Sequence, residues 1–293
     1  MAVPTLGPVL GLLFNALVFG VSWWPLREMQ ALGLHPLWAT ALMYALALTL
    51  TLAWQPSAWL GLWRQPMLWW LFLASGLTNV GFNWAVTLGD VVRVVLLFYT
   101  MPAWSVLLAW WLLGERPTRM ALLRLLLALV GVALVLKTPE TPWPLPSSLF
   151  DFLALLGGAS FALNNVMLRK LAQVPESSRM SAMFAGGMVI TALTGLVALP
   201  FGWVSLPHDM GWMGYAVGLG LCMLASNLSL QYGAARLPAA TTALVMLSEI
   251  VFATATSVAL GAAELSDRKL GGGLLIVLAA VLATMPSRFQ EKP

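Results

Sequence analysis

The chain has 293 residues, of which 60% are hydrophobic and only 9% charged. A soluble domain carries about 25% charged residues, so this composition excludes a water-soluble enzyme and makes lipid the solvent. The net charge of +4 is scattered, and no basic tract offers itself to nucleic acid.

In lipid every backbone polar group must be paired within the protein, which leaves helices or a closed barrel. Runs such as 122–136 and 274–282 do not alternate apolar and polar residues, so an all-α membrane protein is expected. A span needs about 20 residues to cross a core of about 30 Å. Ten candidates follow in order: 7–27, 36–54, 66–88, 91–113, 118–137, 148–171, 180–201, 211–235, 238–261 and 268–285. The first is read as a retained helix, since no basic region precedes it and no cleavage site follows. Gln55-Pro56-Ser57 separates the second and third, Gly114-Glu115-Arg116-Pro117 the fourth and fifth, and Pro238 opens the ninth. The joins near Gly89 and Arg236 are very short, and nine spans would follow if either were one bent helix.

Orientation follows from Lys and Arg in short loops. With the N-terminus in the cytoplasm, that side holds Arg64, Arg116, Arg119, Arg124, Arg169, Lys170, Arg179, Arg236, Arg288 and Lys292. The other side holds Arg27, Arg93, Lys137, Arg268 and Lys269. The bias places both termini in the cytoplasm.

The chain also reads as two copies of one five-helix unit. The segment Thr78-Asn79-Val80-Gly81-Phe82-Asn83-Trp84-Ala85-Val86 matches Ser226-Asn227-Leu228-Ser229-Leu230-Gln231-Tyr232-Gly233-Ala234 in size and polarity. Phe19-Gly20 and Leu26-Arg27 align with Phe161-Ala162 and Leu168-Arg169, and Leu113-Gly114-Glu115 with the stretch ending at Glu264. The units are 7–137 and 148–286, joined by a proline-rich linker over 138–147. Five is odd, so the second copy enters the membrane inverted. Inverted repeats are a recurring plan of secondary transporters; a duplicated bundle with no transport role is the plainer alternative.

Two such repeats, the Phe19-Gly20 pair, Pro102 mid-way through the fourth span and Gly114-Glu115 at its close resemble the drug/metabolite transporter superfamily. The likeness is to its ten-helix exporter branch, and within that to bacterial exporters of aromatic amino acids. It runs over residues 7–285 and implies an inner-membrane location and efflux of small metabolites. The second copy departs from the pattern: Glu249-Ile250 stands where a proline would fall, and Ala263 replaces the glycine before Glu264.

Polar groups at membrane depth need a partner or a wet cavity. The first helix offers Trp24, beside Trp23 and ahead of Pro25. Asn79, Phe82 and Asn83 lie on the third, Tyr99 just before Pro102 on the fourth, and Asn164 and Asn165 on the sixth. Asn227 and Gln231 lie on the eighth, Ser248 and Glu249 on the ninth. These residues are expected to converge on a substrate cavity between the halves, with Pro25 and Pro102 as hinges. The alternative is interhelical bonding, worth about 1 kcal/mol per bond. An ionised Glu249 at mid-span would cost roughly 2.5–3.5 kcal/mol or more; it is a proton-coupling candidate or a hydrogen-bonded structural residue.

Most of the fifteen tryptophans fall near span ends, as an interfacial belt does. Deeper aromatics beside amides would suit a flat apolar group carrying a polar head. Gly7 with Gly11, and Gly214 with Gly218, carry the small-xxx-small spacing of closely packed helices.

One cysteine and two histidines in loops make no metal site, and no cofactor motif or Gly-rich nucleotide loop is present. An intramembrane enzyme lacks a nucleophile with a base at depth, and a channel lacks a repeated polar filter. The partners expected are the bilayer and a small-molecule substrate, an amino acid or similar metabolite, and a monomer would suffice.

Overall fold

A computed structural model describes residues 6–88, 91–136, 146–207, 209–262 and 264–284. Most of the linker, Gly89, His208, Lys137, Trp143, Ala263, Arg288 and Lys292 lie outside these. The described residues form helices and no strand. In chain order these are α1 (Leu6–Ala31), α2 (Pro36–Trp54), α3 (Gly61–Arg64), α4 (Leu68–Leu88), α5 (Val91–Phe98), α6 (Met101–Leu113) and α7 (Arg119–Leu136). The second half holds α8 (Leu149–Lys170), α9 (Glu176–Ala198), α10 (Met213–Ala234), α11 (Ala239–Met246), α12 (Ser248–Ala259) and α13 (Asp267–Thr284).

Eight segments among the described residues are long and apolar enough to cross a membrane, fewer than the ten of the sequence reading. α4 and α13 stand at the remaining two places. In α13 the cause is visible, for Asp267, Arg268 and Lys269 crowd the first turn of an 18-residue helix. Apolar side chains face outward along the bundle, among them Leu274 at 69% and Trp111 at 79% exposed, as lipid permits and water does not. Trp54, Trp63 and Trp70 are likewise exposed, whereas Trp212 is buried and donates from Nε1 to the Asp209 carbonyl at 2.7 Å.

Local chemistry explains the boundaries. His35 caps α2, its Nδ1 accepting from the Leu37 amide, and Pro36 follows at the first turn. Ser148 and Asp151 form a reciprocal capping box at the start of α8, and Asp151 also meets Arg93 at 3.1 Å. At the end of α6, Gly114 takes φ 72° so that its amide and that of Glu115 reach the Trp110 and Ala109 carbonyls. The second half keeps this device without its sequence signature: Gly261, past the end of α12, adopts φ 69°.

Two of the eight apolar segments, Arg93–Leu113 and Ala239–Ala259, are each broken in the middle. α5 gives way to α6 at Tyr99-Thr100, and α11 to α12 at Leu247. Pro102 sits in the first turn of α6 and has no amide to give. No proline marks the second break, where the Ser248 hydroxyl donates to the Val245 carbonyl at 2.7 Å and Ile250 N bonds Leu247 O. Pro25 breaks nothing: α1 continues through it to Ala31.

Helix pairs correspond between the halves. α4 packs on α8 and α10 on α1; α6 packs on α8 and α12 on α1; α4 packs on α9 and α10 on α2. Across the halves α2 also packs on α9, α7 on α13 and α5 on α8. Glycines allow the approach. A Cβ on Gly81 of α4 would lie 2.6 Å from the Leu153 carbonyl of α8, and one on Gly11 of α1 would lie 2.9 Å from the Ser229 carbonyl of α10. On α7 and α13 the contact is reciprocal: a Cβ on Gly131 would lie 2.8 Å from Gly272 O, and one on Gly272 2.6 Å from Gly131 O. Gly214 and Gly218 have nothing within 4 Å of such a Cβ, so within the chain that small-xxx-small face packs against no helix.

Candidate functional site: a cavity between the halves

The corresponding helices enclose a cavity of about 580 Å³. Its lining on α1 runs from Phe19 at mid-helix to Gln30 near the end, and on α2 from Pro36, the first residue, to Tyr44. The cavity therefore opens on the side of the α1–α2 connection and ends near mid-membrane.

α4 contributes Ser75, Thr78, Asn79, Phe82 and Asn83. One turn apart, Asn79 and Asn83 point their amides at α2: Asn79 Nδ2 donates to the Tyr44 hydroxyl at 3.2 Å, and Asn83 Nδ2 to Thr40 Oγ1 at 2.8 Å. The break after α5 brings Phe98 and Tyr99 to the wall, where Phe98 contacts Phe82 (4.7 Å between centroids), Tyr99 (5.6 Å) and Phe161 of α8 (6.1 Å). The second half supplies Asn164, Met183, Met223, Asn227 and Leu230. Asn227 donates to the Met223 carbonyl at 2.9 Å, while Asn164 Oδ1 has no protein partner.

Glu249, at the start of α12, is the carboxylate among the described lining residues, and Arg27 the cation. Glu249 is a side-chain neighbour of Tyr99. Its carbonyl lies 2.8 Å from where a Cβ on Gly20 would be, which sets it level with the middle of α1. Arg27 is two turns further along, about 10 Å towards the mouth at 1.5 Å rise per residue.

Of the residues expected to bind substrate, Asn79, Phe82, Asn83, Tyr99, Asn164 and Asn227 line the cavity. Trp24 does not. It is 44% exposed and packs edge-on against Tyr215, and its neighbour Trp23 lines the cavity instead, donating to Thr256 Oγ1 at 3.1 Å. Ser248 is absent from the lining, its hydroxyl turned back across the break to the Val245 carbonyl of α11. Asn165 and Gln231 are fully buried outside the lining. The sequence reading missed Thr40 and Tyr44, whose spacing of four within one helix was an available signal, and Arg27, which closes the first expected span and entered only the orientation argument. Among the described residues no three His, Cys, Asp or Glu side chains gather to hold a metal.

The opposite end is closed. Met167, Leu168, Leu171 and Leu237, near the ends of α8 and α10, are buried in the core there. Three cations tie the helix ends across it: Arg169 Nη1 donates to the Ala235 carbonyl at 2.9 Å, Lys170 Nζ to Leu112 O at 3.2 Å, and Arg179 Nη1 to Leu168 O at 3.3 Å. Arg169 also lies 3.8 Å from Glu115.

Residues 6–137, spanning α1 through α7, match the model of the EamA-like transporter family. A protein of known crystal structure superposes with a TM-score of 0.74 at 22% identity, covering 94% of this chain and 96% of its own. At that identity the likeness speaks for a shared fold. No protein of curated function matches the sequence significantly.

Proposed function

We propose, on the premise that its first half is an EamA-like transporter unit, that this chain is a secondary carrier exporting small organic solutes, amino acids with aromatic side chains first. It works by alternating access through ten spans arranged as two inverted five-helix repeats, monomeric in the inner membrane with both termini in the cytoplasm. The correspondence of helix pairs across the halves supports the repeat, and the matching mid-span breaks at Tyr99-Thr100 and Leu247 support it further. With the N-terminus inside, the mouth at Arg27 faces outward, and the closed end carries Arg64, Arg169, Lys170 and Arg179 on the cytoplasmic side, in keeping with the positive-inside rule.

The observation that carries the reading is the cavity itself. Both halves line it, one end is open and the other sealed, and its 580 Å³ falls in the range of small-molecule sites. An aromatic wall of Phe82, Phe98 and Phe161 stands with the amides of Asn79, Asn83, Asn164 and Asn227. That pairing suits a flat apolar group with a polar head. Glu249, the lining carboxylate, is the coupling residue of this proposal, and Pro102, fixed at a break, is the hinge.

The test is uptake of labelled tryptophan into proteoliposomes, with and without an imposed pH gradient, beside Glu249→Gln. Saturable uptake inhibited by unlabelled aromatic amino acids is expected, with gradient stimulation lost in the variant. Stimulation that survives in Glu249→Gln would make Glu249 structural. No uptake by folded protein would overturn the substrate assignment, and uptake that never saturates would point to a channel.

A further inference from the structure

Two buried side-chain amides take no part in the cavity or in the packing bonds. Asn165 of α8 and Gln231 of α10 are 0% exposed, and in both the oxygen and the nitrogen lack any protein hydrogen-bond partner. Orphaned buried amides are rare because desolvation is costly. The usual reason for a polar residue in a membrane helix, a bond to the next helix, does not apply to either.

Their place is specific. Asn165 follows the lining residue Asn164 and precedes Arg169 by one turn. Gln231 lies one turn past the lining residue Asn227 and one turn before Ala235. Arg169 and Ala235 are the two groups joined across the closed end at 2.9 Å. Each amide thus follows directly on a lining residue, Asn164 or Leu230, and lies about 6 Å along its helix from the latch at 1.5 Å rise per residue.

We infer that Asn165 and Gln231 line the half of the solute path that is sealed in this structure, and that they meet the solute once the Arg169–Ala235 bond opens. Carboxamides offer donors and acceptors without charge, so this half of the path takes a neutral or zwitterionic hydrogen-bonding head group. The inference rests on the alternating-access reading above.

The test uses the full chain in sealed membrane vesicles of both orientations, with Cys222→Ala and a single new cysteine, probed by a membrane-impermeant thiol reagent. Asn79→Cys, in the open cavity, reports the Arg27 side. Gln231→Cys and Asn165→Cys are expected to react from the Arg169 side, and about tenfold more slowly or not at all from the Arg27 side; adding Arg169→Ala should accelerate the former about tenfold. If Asn79→Cys reacts while Gln231→Cys and Asn165→Cys react from neither side even with Arg169→Ala, the inference fails and the carrier reading stands. Reaction from the Arg27 side at the Asn79→Cys rate also overturns it, since the residues would then belong to the open cavity. No reaction at Asn79→Cys would overturn the cavity, and the carrier reading with it. The size-matched Gln231→Met serves as a second check. It removes no protein bond, so the melting temperature should hold or rise while transport falls, whereas a lower melting temperature would make the amide structural and overturn the inference.

Discussion

Gly20 marks where α1 and α12 meet beside the cavity, and its replacement by alanine tests whether that seam is as tight as it looks. A Cβ at Gly20 would stand 2.7 Å from Phe252 Cβ, 2.8 Å from Glu249 O and 3.0 Å from Ala253 N. Ordinary contact begins near 3.4 Å, so the helices must part by roughly 0.7 Å, and two of the three opposing atoms are backbone that cannot rotate away. Overpacking of this kind costs about 1–3 kcal/mol. At roughly 2–4 °C per kcal/mol for a chain of this order of size, the melting temperature of Gly20→Ala in detergent should fall by roughly 2–12 °C. The same parting stretches the Trp23 Nε1 to Thr256 Oγ1 bond of 3.1 Å one turn away, so affinity for any solute held in the cavity should fall as well. Gly218→Ala is the control. Nothing lies within 4 Å of its added Cβ, and alanine gains up to about 1 kcal/mol of helix propensity, so stability should hold or rise. Equal melting of Gly20→Ala and wild type, or equal losses in the two variants, would refute the packing argument.

Two further outcomes follow from single contacts. Asn15, fully buried, donates Nδ2 to both the Ser226 carbonyl (3.0 Å) and its hydroxyl (2.5 Å); at about 0.6–1.7 kcal/mol per intramembrane bond, Asn15→Ala should melt below Ser226→Ala, which keeps the carbonyl bond, and the reverse order would count against it. Burial lowers the pKa of His35 below its ordinary 6.5. A depressed imidazole contributes its stability in full above the unfolded value and loses it as pH falls through the lower folded one. The gap in melting temperature between about pH 7.5 and about pH 5 should therefore narrow in His35→Asn, which retains a capping side chain, and an unchanged gap would clear His35 as its cause.

Much of this was legible in the sequence because lipid enforces simple rules. Span positions follow from apolar length, and the matching segments of α4 and α10 fall on helices with parallel sets of neighbours, α4 on α8 and α9 and α10 on α1 and α2. The amide pair Asn79 and Asn83 shares a face by helical spacing alone. What was not legible depends on rotation. Trp23 and Trp24 are neighbours of one residue type, 100° apart on the helix, and only packing against α12 and Tyr215 decides which faces inward. The break at Leu247 carries no proline and leaves no mark in composition. The left-handed cap at Gly261 was hidden by the expectation of a glycine directly before Glu264. Gln231 and Asn165 read as cavity amides because sequence gives depth but not which end of a path is shut.

The seam between Gly131 and Gly272 has a consequence in time. The ribosome must add 141 residues after Gly131 before Gly272 exists, which at about 5–20 residues per second takes roughly 7–28 s. Through that interval the face of α7 around Gly131 is without the helix that packs on it. The contact between α7 and α13 is therefore among the last that synthesis permits, and the first half cannot complete its own packing before the end of the second is made.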